Sequence, residues 1–526
     1  MRHISLVDRI VFNWKGNVFR RAITLADVDN DGDNELIVGS LEGNLTIFKG
    51  IDKHPWKVAN NIGSITCVAV GDLLDSHRNL LVVISSEGIC NIYNVAANGV
   101  DQTTTSEHLV PMLSQRLPPN ASAILIGDVD NDGKNELVIG TYDHTLYSFS
   151  LQKQSQQQQQ QQMIMEDGSG AGDQKEWTLV CKNKWQLPGQ IGTLVMAKES
   201  GGNEILIVGL CEGTNYIILD NKGQLYKEER SSTHPNIMSS SYSPPYMAGS
   251  HSSAGMGMGM GIGSDFSNST GGAGEIMSNN ETFISIDHLR KRKTDIITNI
   301  SAPLNLRAGT CLVNEDGVEE RIDDSDTASI IATATLDGVL KLKRVGKGIV
   351  WKMEIEEMGS GQLVALYAAP LSRDTHGNDY IVACGWDGLT VVVDSERNIV
   401  SFKFGDRVCA FTTGNYTMCR GAASTPCFVY VTFFGEIYLY HNLNIQLKPT
   451  HSLKWTTKQQ MDELVALAAT GLAGGQALGT VDEFYSTLLS PQFDKQLLGQ
   501  YLDRLKQDRR RRGQSSEVVD GQDNLA

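Results

Sequence analysis

The chain has 526 residues, enough for several domains or for one large repeat array with a sizeable buried core. Its 45 basic and 61 acidic residues leave a formal net charge of -16, and an acidic surface repels phosphate at long range. This balance argues against nucleic acid as a partner. The sequence has 52 glycines and only 13 prolines, a composition typical of many tight turns and hence of a β-rich fold.

The first residues carry charges at Arg2, Asp8 and Arg9, where a secretory signal would need an uninterrupted apolar run. No apolar run elsewhere approaches the roughly 18 residues of a membrane-spanning helix. We therefore expect no signal peptide, no direct membrane span and a cytoplasmic location.

The chain contains an internal repeat. Residues 22–48 and 123–149 match closely, and each has an apolar strand, an Asp-rich loop, a second strand, a turn and a third strand. Five weaker copies keep the second strand, the turn and the third strand, with turns at residues 88, 213, 338, 388 and 435. Seven copies result, spaced by about 45–50 residues where no insertion intervenes.

Each copy predicts a small antiparallel sheet, because Asp-Gly and related pairs favour the primed two-residue turns of hairpins. A four-stranded sheet of this size cannot bury both faces alone, so such repeats pack radially around an axis. The sequence predicts an all-β fold, a seven-bladed β-propeller over residues 1–450. We hypothesise that the strand at residues 5–12 supplies the outer strand of the last blade and closes the ring.

Two polar insertions interrupt the propeller pattern, and we expect both to be disordered. Residues 152–176 contain a polyglutamine run, placed in the connection between the third and fourth blades, and residues 227–283 contain a Met/Gly repeat. Residues 451–526 change to helical periodicity and predict a C-terminal α-helical appendage with a disordered tail. Basic clusters at 290–293 and 509–512 are interpreted as solvated surface, with a membrane contact or a nuclear address as the alternative.

Two Asp-rich loops are the sharpest candidates for a site. Alternating carboxylates suit a hard cation that takes six to eight oxygen ligands, so we expect structural calcium at two sites. An EF-hand is excluded because the twelfth loop positions are Val38 and Ile139 and the flanks are strands. The alternative is a turn that binds no metal. The predicted ligands are Asp27, Asp29, Asp31 and Glu35 in the first loop, and Asp128, Asp130, Asp132 and Glu136 in the second.

Motifs for catalysis are absent from the sequence: it has no nucleophile elbow, no Walker loop and no zinc-protease motif. We expect no catalytic residues and no enzymatic activity. Any bound metal is expected to stabilise a blade, because no histidine or nucleophile accompanies the carboxylates.

The Asp-rich loops, followed by Leu-Ile-Val-Gly at 36–39 and Leu-Val-Ile-Gly at 137–140, resemble the FG-GAP repeats of integrin α-subunit propellers, where matching carboxylates bind calcium. Gly-Ser and Gly-Thr stand where Gly-Ala-Pro is usual, so a ligand-binding integrin head is not implied. The chain is more closely similar, over roughly residues 1–445, to the integrin-alpha FG-GAP repeat-containing protein 2 family. The similar stretches include residues 54–56, 65–72, 335–342, 383–388 and 428–433.

This resemblance implies a scaffold subunit of KICSTOR, a lysosomal assembly that positions the first GATOR complex and restrains TOR complex 1 when nutrients are scarce. It implies kaptin as the direct partner, together with other KICSTOR subunits, and a peripheral association with lysosomes through the complex. Two alternatives stay open. One is an extracellular calcium-binding adhesion propeller, which the Asn-x-Ser/Thr triplets would favour, and the other is a metal-dependent enzyme.

Overall fold

The computed structural model describes a set of ranges that cover most of the first 447 residues. They are residues 2–96, 107–153, 177–211, 216–220, 222–224, 281–283, 297–307, 309–313, 319–322, 327–335, 338–355, 363–371, 377–443, 445 and 447. All regular secondary structure in these ranges is β-strand. The predicted helical appendage and both basic clusters lie outside the described residues.

Seven sheets follow one another along the chain, and each is a blade. Blade 1 is formed by β3 (Ile23–Ala26), β4 (Glu35–Gly39), β5 (Leu45–Phe48) and β6 (Lys57–Ala59). Blade 2 is formed by β7 (Ile65–Gly71), β8 (Leu80–Ser85), β9 (Ile89–Tyr93) and β10 (Leu113–Arg116). Blade 3 is formed by β11 (Ala121–Gly127), β12 (Glu136–Thr141), β13 (Thr145–Lys153) and β14 (Trp177–Gln186).

The remaining blades repeat this order. Blade 4 has three described strands, β15 (Ile191–Lys198), β16 (Glu204–Leu210) and β17 (Tyr216–Leu219). Blade 5 is formed by β19 (Ile297–Ile300), β22 (Ile330–Thr335), β23 (Val339–Arg344) and β24 (Gly348–Glu354), and blade 6 by β25 (Leu363–Ala369), β26 (Tyr380–Gly385), β27 (Leu389–Val393) and β28 (Ile399–Lys403). Blade 7 contains β29 (Val408–Tyr416), β30 (Thr425–Thr432) and β31 (Ile437–Tyr440). A separate hairpin, β20 (Cys311–Val313) with β21 (Glu319–Arg321), lies between β19 and β22 in sequence.

The blades form a closed ring. The first strand of each blade contacts the first strands of both neighbouring blades, and β29 of blade 7 returns to contact β3 of blade 1. The prediction of a seven-bladed β-propeller is therefore confirmed.

Blade 7 is completed by the N-terminal segment. Strand β2 (Arg9–Val11) pairs antiparallel with β31, with Arg9 opposite Tyr440 and Val11 opposite Tyr438. A shorter strand, β1 (Arg2–His3), pairs parallel with β28 of blade 6. The hypothesis that the N-terminal strand closes the ring is confirmed.

Each blade buries both faces against its neighbours. The second strands of blades 1, 2 and 3 are buried along their whole length, as expected for a strand that is covered on both sides. One apolar cluster runs without interruption from blade 7 through blade 1 to blade 2, and it includes Val431, Ile37 and Val83. The core therefore lies between the blades as well as within them.

The hairpin turns differ from the prediction. In blade 1 the amide of Gly43 donates to Ser40 O at 3.1 Å, and Gly43 has φ +87° while the two residues before it have negative φ. A primed two-residue turn would need positive φ at one or both central residues, so the loop is instead a three-residue type I turn with a glycine bulge. Gly88, Gly388 and Gly435 donate the same bond in their blades.

The insertions also need correction. Residues 154–176 lie between β13 and β14, which pair with each other, so this insertion is inside blade 3 and not between blades 3 and 4. Residues 152–153 belong to β13, and residues 281–283 form β18 (Glu281–Phe283), which pairs parallel with β14. These terminal residues of the predicted disordered segments are therefore strand residues. The interiors of both insertions lie outside the described ranges.

Candidate functional site

The two acidic loops join the first and second strands of blades 1 and 3. Residues 27–34 link β3 to β4, and residues 128–135 link β11 to β12. In each loop three of the predicted carboxylates offer oxygens that lie within 4.8 Å of one another, namely Asp27, Asp29 and Glu35, and Asp128, Asp130 and Glu136. The fourth predicted residue of each loop joins this group through a lysine.

Asp27 folds the first loop. Its Oδ1 accepts a hydrogen bond from the amide of Asp31 at 3.1 Å, and its Oδ2 accepts one from the amide of Gly32 at 2.9 Å. The turn requires left-handed backbone at Asn30 (φ 63°) and Gly32 (φ 89°), which are residue types that tolerate this conformation. Both carboxylate oxygens of Asp27 therefore accept hydrogen bonds from the loop backbone.

Asp128 does the same in blade 3. It accepts bonds from the amides of Asp132 at 3.1 Å and Gly133 at 2.8 Å, and Asn131 and Gly133 again have positive φ. The two loops are thus the same structure built twice.

The glutamates are the most buried members of each loop. Glu35 and Glu136 have no exposed side-chain surface, and their Oε2 atoms accept bonds from the amides of Val28 at 3.0 Å and Val129 at 3.1 Å. Burial raises the pKa of Glu35 to about 7, although the nearby ammonium group acts in the opposite direction. Burial likewise raises the pKa of Glu136.

A lysine that sequence analysis missed lies among the carboxylates of blade 1. Lys49 Nζ is 2.6 Å from Asp29 Oδ2, 2.7 Å from Asp31 Oδ2 and 2.8 Å from Glu35 Oε1. The first two contacts are hydrogen bonds, and the third is an ion pair outside good hydrogen-bond geometry. Burial alone would lower the pKa of Lys49, but the three carboxylates outweigh it and the pKa is raised. The Lys49 ammonium also lies 5.0 Å from the centre of the Trp56 ring.

The register of blade 1 explains this placement. Strands β4 and β5 pair Leu36 with Phe48, so Lys49, the first residue after β5, comes beside Glu35. Only knowledge of the register would have identified Lys49, because nothing in the loop sequence points to it.

Blade 3 has an equivalent lysine. Lys182 Nζ donates to Asp130 Oδ2 at 2.8 Å, Asp132 Oδ2 at 3.0 Å and Glu136 Oε1 at 2.7 Å. The hydrogen bond from Lys182 lowers the pKa of Asp132. The same three loop positions are contacted as in blade 1.

The second lysine reaches its loop by a different route. In blade 3 the register pairs Leu137 with Phe149, so the next residue, Ser150, comes beside Glu136. Ser150 is therefore the equivalent in blade 3 of Lys49 in blade 1. Lys182 comes instead from the neighbouring strand β14, at a β-bulge where Asn183 pairs with Ser148 but Cys181 pairs with Phe149. Lys182 is therefore the extra, unpaired residue of the bulge, and bulges commonly redirect a side chain in this way.

Asparagines of the loops connect neighbouring blades. Asn30 Nδ2 donates to Asn79 O of blade 2 at 3.1 Å, and the amide of Asn79 donates back to Asn30 Oδ1 at 2.6 Å. Asn131 makes the same pair of bonds with Glu204 of blade 4, at 3.1 and 3.3 Å. Each loop therefore attaches its blade to the next one.

A second asparagine in each loop points to the preceding blade. Asn34 Nδ2 donates to Asn415 O of blade 7 at 3.0 Å, and Asn135 Nδ2 donates to Asp72 O of blade 2 at 2.7 Å. Sequence analysis did not assign these asparagines a role. Their spacing, one after the second carboxylate and one before the glutamate, is a signal present in both copies.

The donor set can be compared with the needs of calcium. Calcium takes six to eight oxygens at about 2.3–2.6 Å, and the carboxylates are indeed gathered around one point in each loop. However, two of the three gathered carboxylates in each loop already contact the ammonium of Lys49 or Lys182, and both oxygens of Asp27 and Asp128 already accept backbone amides. With the lysines in place the residues do not fit a calcium ion. Calcium at the eight predicted ligands stays a prediction.

The fold and the loops define the class of the protein: a seven-bladed propeller whose Asp-rich hairpin loops are of the FG-GAP type. None of the described residues forms a helix long and apolar enough to cross a membrane.

The chain belongs to the integrin-alpha FG-GAP repeat-containing protein 2 family, whose model matches residues 49–256 and 285–445. It is 30% identical over 461 residues to the KICSTOR complex protein ITFG2 of Mus musculus, covering 86% of this chain and 88% of that protein. It is 29% identical to the KICSTOR complex protein ITFG2 of Bos taurus, covering 86% and 74%. The family resemblance predicted from sequence is confirmed.

Solved structures with a similar arrangement are distant in sequence. A chain of BBS1N in complex with ARL6DN has a TM-score of 0.47 at 10% identity, covering 85% of this chain and 100% of its own length. The Neurospora crassa Pan2 WD40 domain has a TM-score of 0.43 at 9% identity, covering 85% and 99%. These likenesses add nothing to what the sheet topology already shows.

Proposed function

We propose that this chain is a non-catalytic scaffold subunit of a KICSTOR-type complex. The observation that carries the proposal is the 30% identity over 461 residues to a mouse protein named as a KICSTOR complex protein, which covers most of both chains. A closed ring of mutually buried blades is a rigid body with many exposed loops, a form well suited to holding partners.

The acidic loops support a structural role over a catalytic one. In both loops the predicted carboxylate ligands contact a lysine, backbone amides, or both, so each is already engaged within the fold. A general acid or base would need an accessible group aimed at a substrate. The predicted ligands are instead committed to closing the turn and to holding the lysine of the same blade.

The finer function follows the resemblance stated above. In this proposal the complex positions the first GATOR complex at the lysosomal periphery and restrains TOR complex 1 when nutrients are low. Kaptin is the direct partner, and the chain is cytoplasmic and reaches the lysosome through the complex.

An exposed aromatic surface on blades 6 and 7 suits a protein partner. The stacked rings of Trp386 and Phe433 lie 5.7 Å apart on neighbouring hairpin turns, and Phe434 beside them is 78% exposed. Exposed apolar side chains that cluster in this way commonly mark interaction sites.

Affinity purification of the tagged full chain from cells, followed by mass spectrometry, tests the proposal. We expect recovery of kaptin, other KICSTOR subunits and the first GATOR complex. A Trp386→Ala, Phe434→Ser double variant is expected to recover less partner, and Ile349→Ser, which changes an exposed apolar residue of blade 5, serves as the matched control. Absence of every KICSTOR and GATOR component from a folded wild-type sample would overturn the proposed function.

The nutrient response gives a second test. Cells that lack the chain are expected to keep TOR complex 1 active after amino acid withdrawal, and re-expression of the wild type is expected to restore its inactivation. A normal response in the deleted cells would contradict the regulatory part of the proposal.

A further inference from the structure

The two acidic loops carry a cation of their own. We propose that Lys49 and Lys182 take the place of the divalent cation, so that the protein holds both loops closed without calcium, and that removing either lysine converts its loop into a calcium site. This inference is independent of the proposed function, and neither depends on the other.

The contacts of the ammonium groups are the first support. All three carboxylate contacts of each lysine fall between 2.6 and 3.0 Å, the range of charge-assisted hydrogen bonds and close ion pairs. An ammonium has three N–H donors and no acceptor. Lys182 donates all three to carboxylates, and Lys49 donates two and adds an ion pair to Glu35. The lysine therefore does for these oxygens what a central cation would do.

The two routes to the same point are the second support. Lys49 follows β5, whereas Lys182 comes from a bulge in β14, yet both contact the third, fifth and ninth residues of their loops. Blade 3 has Ser150 at the position of Lys49, and a serine cannot supply the charge. Both loops therefore have a lysine ammonium, although the two lysines come from different positions in their sheets.

Charge balance gives the physical reason. Residues 27–35 include five acidic residues, and their repulsion in a partly buried loop would be costly without a positive charge. A half-buried ammonium supplies positive charge from within the chain. The protein would then remain closed in a compartment with little free calcium.

The same geometry predicts what happens when the ammonium is removed. The oxygens of Asp29, Asp31 and Glu35 would face a vacated position, and Asp29 Oδ1 already lacks a hydrogen-bond partner. Because these are the hard oxygen ligands that calcium prefers, the lysine-free loop is expected to bind it.

The test uses the purified full chain, with thermal unfolding and direct calcium binding measured in chelator and in calcium. The wild type is expected to show the same unfolding midpoint in both conditions and no binding at these loops. Lys49→Met is expected to unfold at a lower temperature in chelator and to recover on calcium addition, and Lys182→Met to do the same to a smaller extent. Lys57→Met, in the strand that follows Lys49, and Lys184→Met, in the same strand as Lys182, are the matched controls, because each removes an ammonium while Lys49 and Lys182 stay in place.

A rescue experiment separates charge from position. Adding Ser150→Lys to Lys182→Met restores an ammonium at the position that Lys49 holds in blade 1, and it is expected to remove the acquired calcium response. If Lys49→Met does not fold, the more exposed Lys182→Met and its rescue still decide the matter.

Two results would overturn the inference. One is a wild type whose midpoint rises with calcium and loses that rise in Asp29→Asn. The other is a folded lysine variant that neither binds calcium nor differs from its control in chelator.

Discussion

The acidic loops of blades 1 and 3 share a sequence motif, a turn and three lysine contacts, yet they differ in burial. In blade 1 the side chains of Lys49 and Asp29 are 20% and 14% exposed, and Trp56 lies over the ammonium. In blade 3 Lys182 and Asp130 are 26% and 27% exposed. Because water screens exposed charges, the same motif should contribute more to stability in blade 1.

The buried glutamates should matter most to stability, and they test whether burial accounts for the difference between the two loops. Glu35 and Glu136 are equally buried, so Glu35→Ala and Glu136→Ala should each lower the free energy of unfolding by about 3 kcal/mol, because each leaves a buried amide without a partner and removes one of the three carboxylate contacts of the lysine. Urea denaturation measures both. A loss in blade 3 far below that in blade 1 would show that burial of the glutamate does not set the effect.

The two lysines should differ in how much they contribute to stability. Without calcium, Lys49→Met is expected to cost about 2–3 kcal/mol and Lys182→Met about 1 kcal/mol, since the second ion pair is less buried. The measurement is urea denaturation in chelator. Equal losses would mean that the difference in exposure has no energetic consequence.

The inter-blade asparagines come next. Asn30→Ala should cost about 1–2 kcal/mol, because it removes two hydrogen bonds and places alanine at positive φ. Asn131→Ala should cost about 1 kcal/mol, since one of its two bonds to Glu204 is longer and both are exposed. Thermal unfolding compares the two, with Asn30→Gly separating backbone strain from the lost bonds. A larger loss for Asn131→Ala would contradict the ranking.

Replacing Trp56 should reduce stability less than any of the changes above. Trp56→Leu should lower stability by about 0.5–1 kcal/mol through the lost cation–π contact with Lys49. In a Lys49→Met background the same substitution should cost less, so a double-mutant cycle isolates the contact. An identical cost in both backgrounds would assign the effect to packing alone.

Sequence reasoning reached the architecture because repeats record it directly. Seven apolar strand pairs with turns at similar spacing predicted seven blades, and the strand at 5–12 predicted how the ring closes. The turn type was wrong because a single Gly at positive φ serves a bulged turn as well as a primed one. The placement of the first insertion was wrong because the strand that follows it, β14, lies beyond the recognisable repeat.

The candidate site was only half visible in the sequence. Carboxylate spacing within nine residues identified the loops, since those contacts are local. Lys49 and Lys182 escaped notice because their contacts depend on sheet register and on a bulge, and Lys182 is 52 residues from Asp130 along the chain. The prediction of calcium therefore considered only the anions, and the chain's own cations lay outside any local pattern.

The pairing of β2 with β31 has a consequence for biosynthesis. Strand β2 is synthesised more than four hundred residues before its partner at Ile437–Tyr440. Until then blade 7 is unfinished and the first blade has only one neighbour. During synthesis β2 therefore stays unpaired until β31 has been made, and chaperones that shield strand edges would be needed most at this stage.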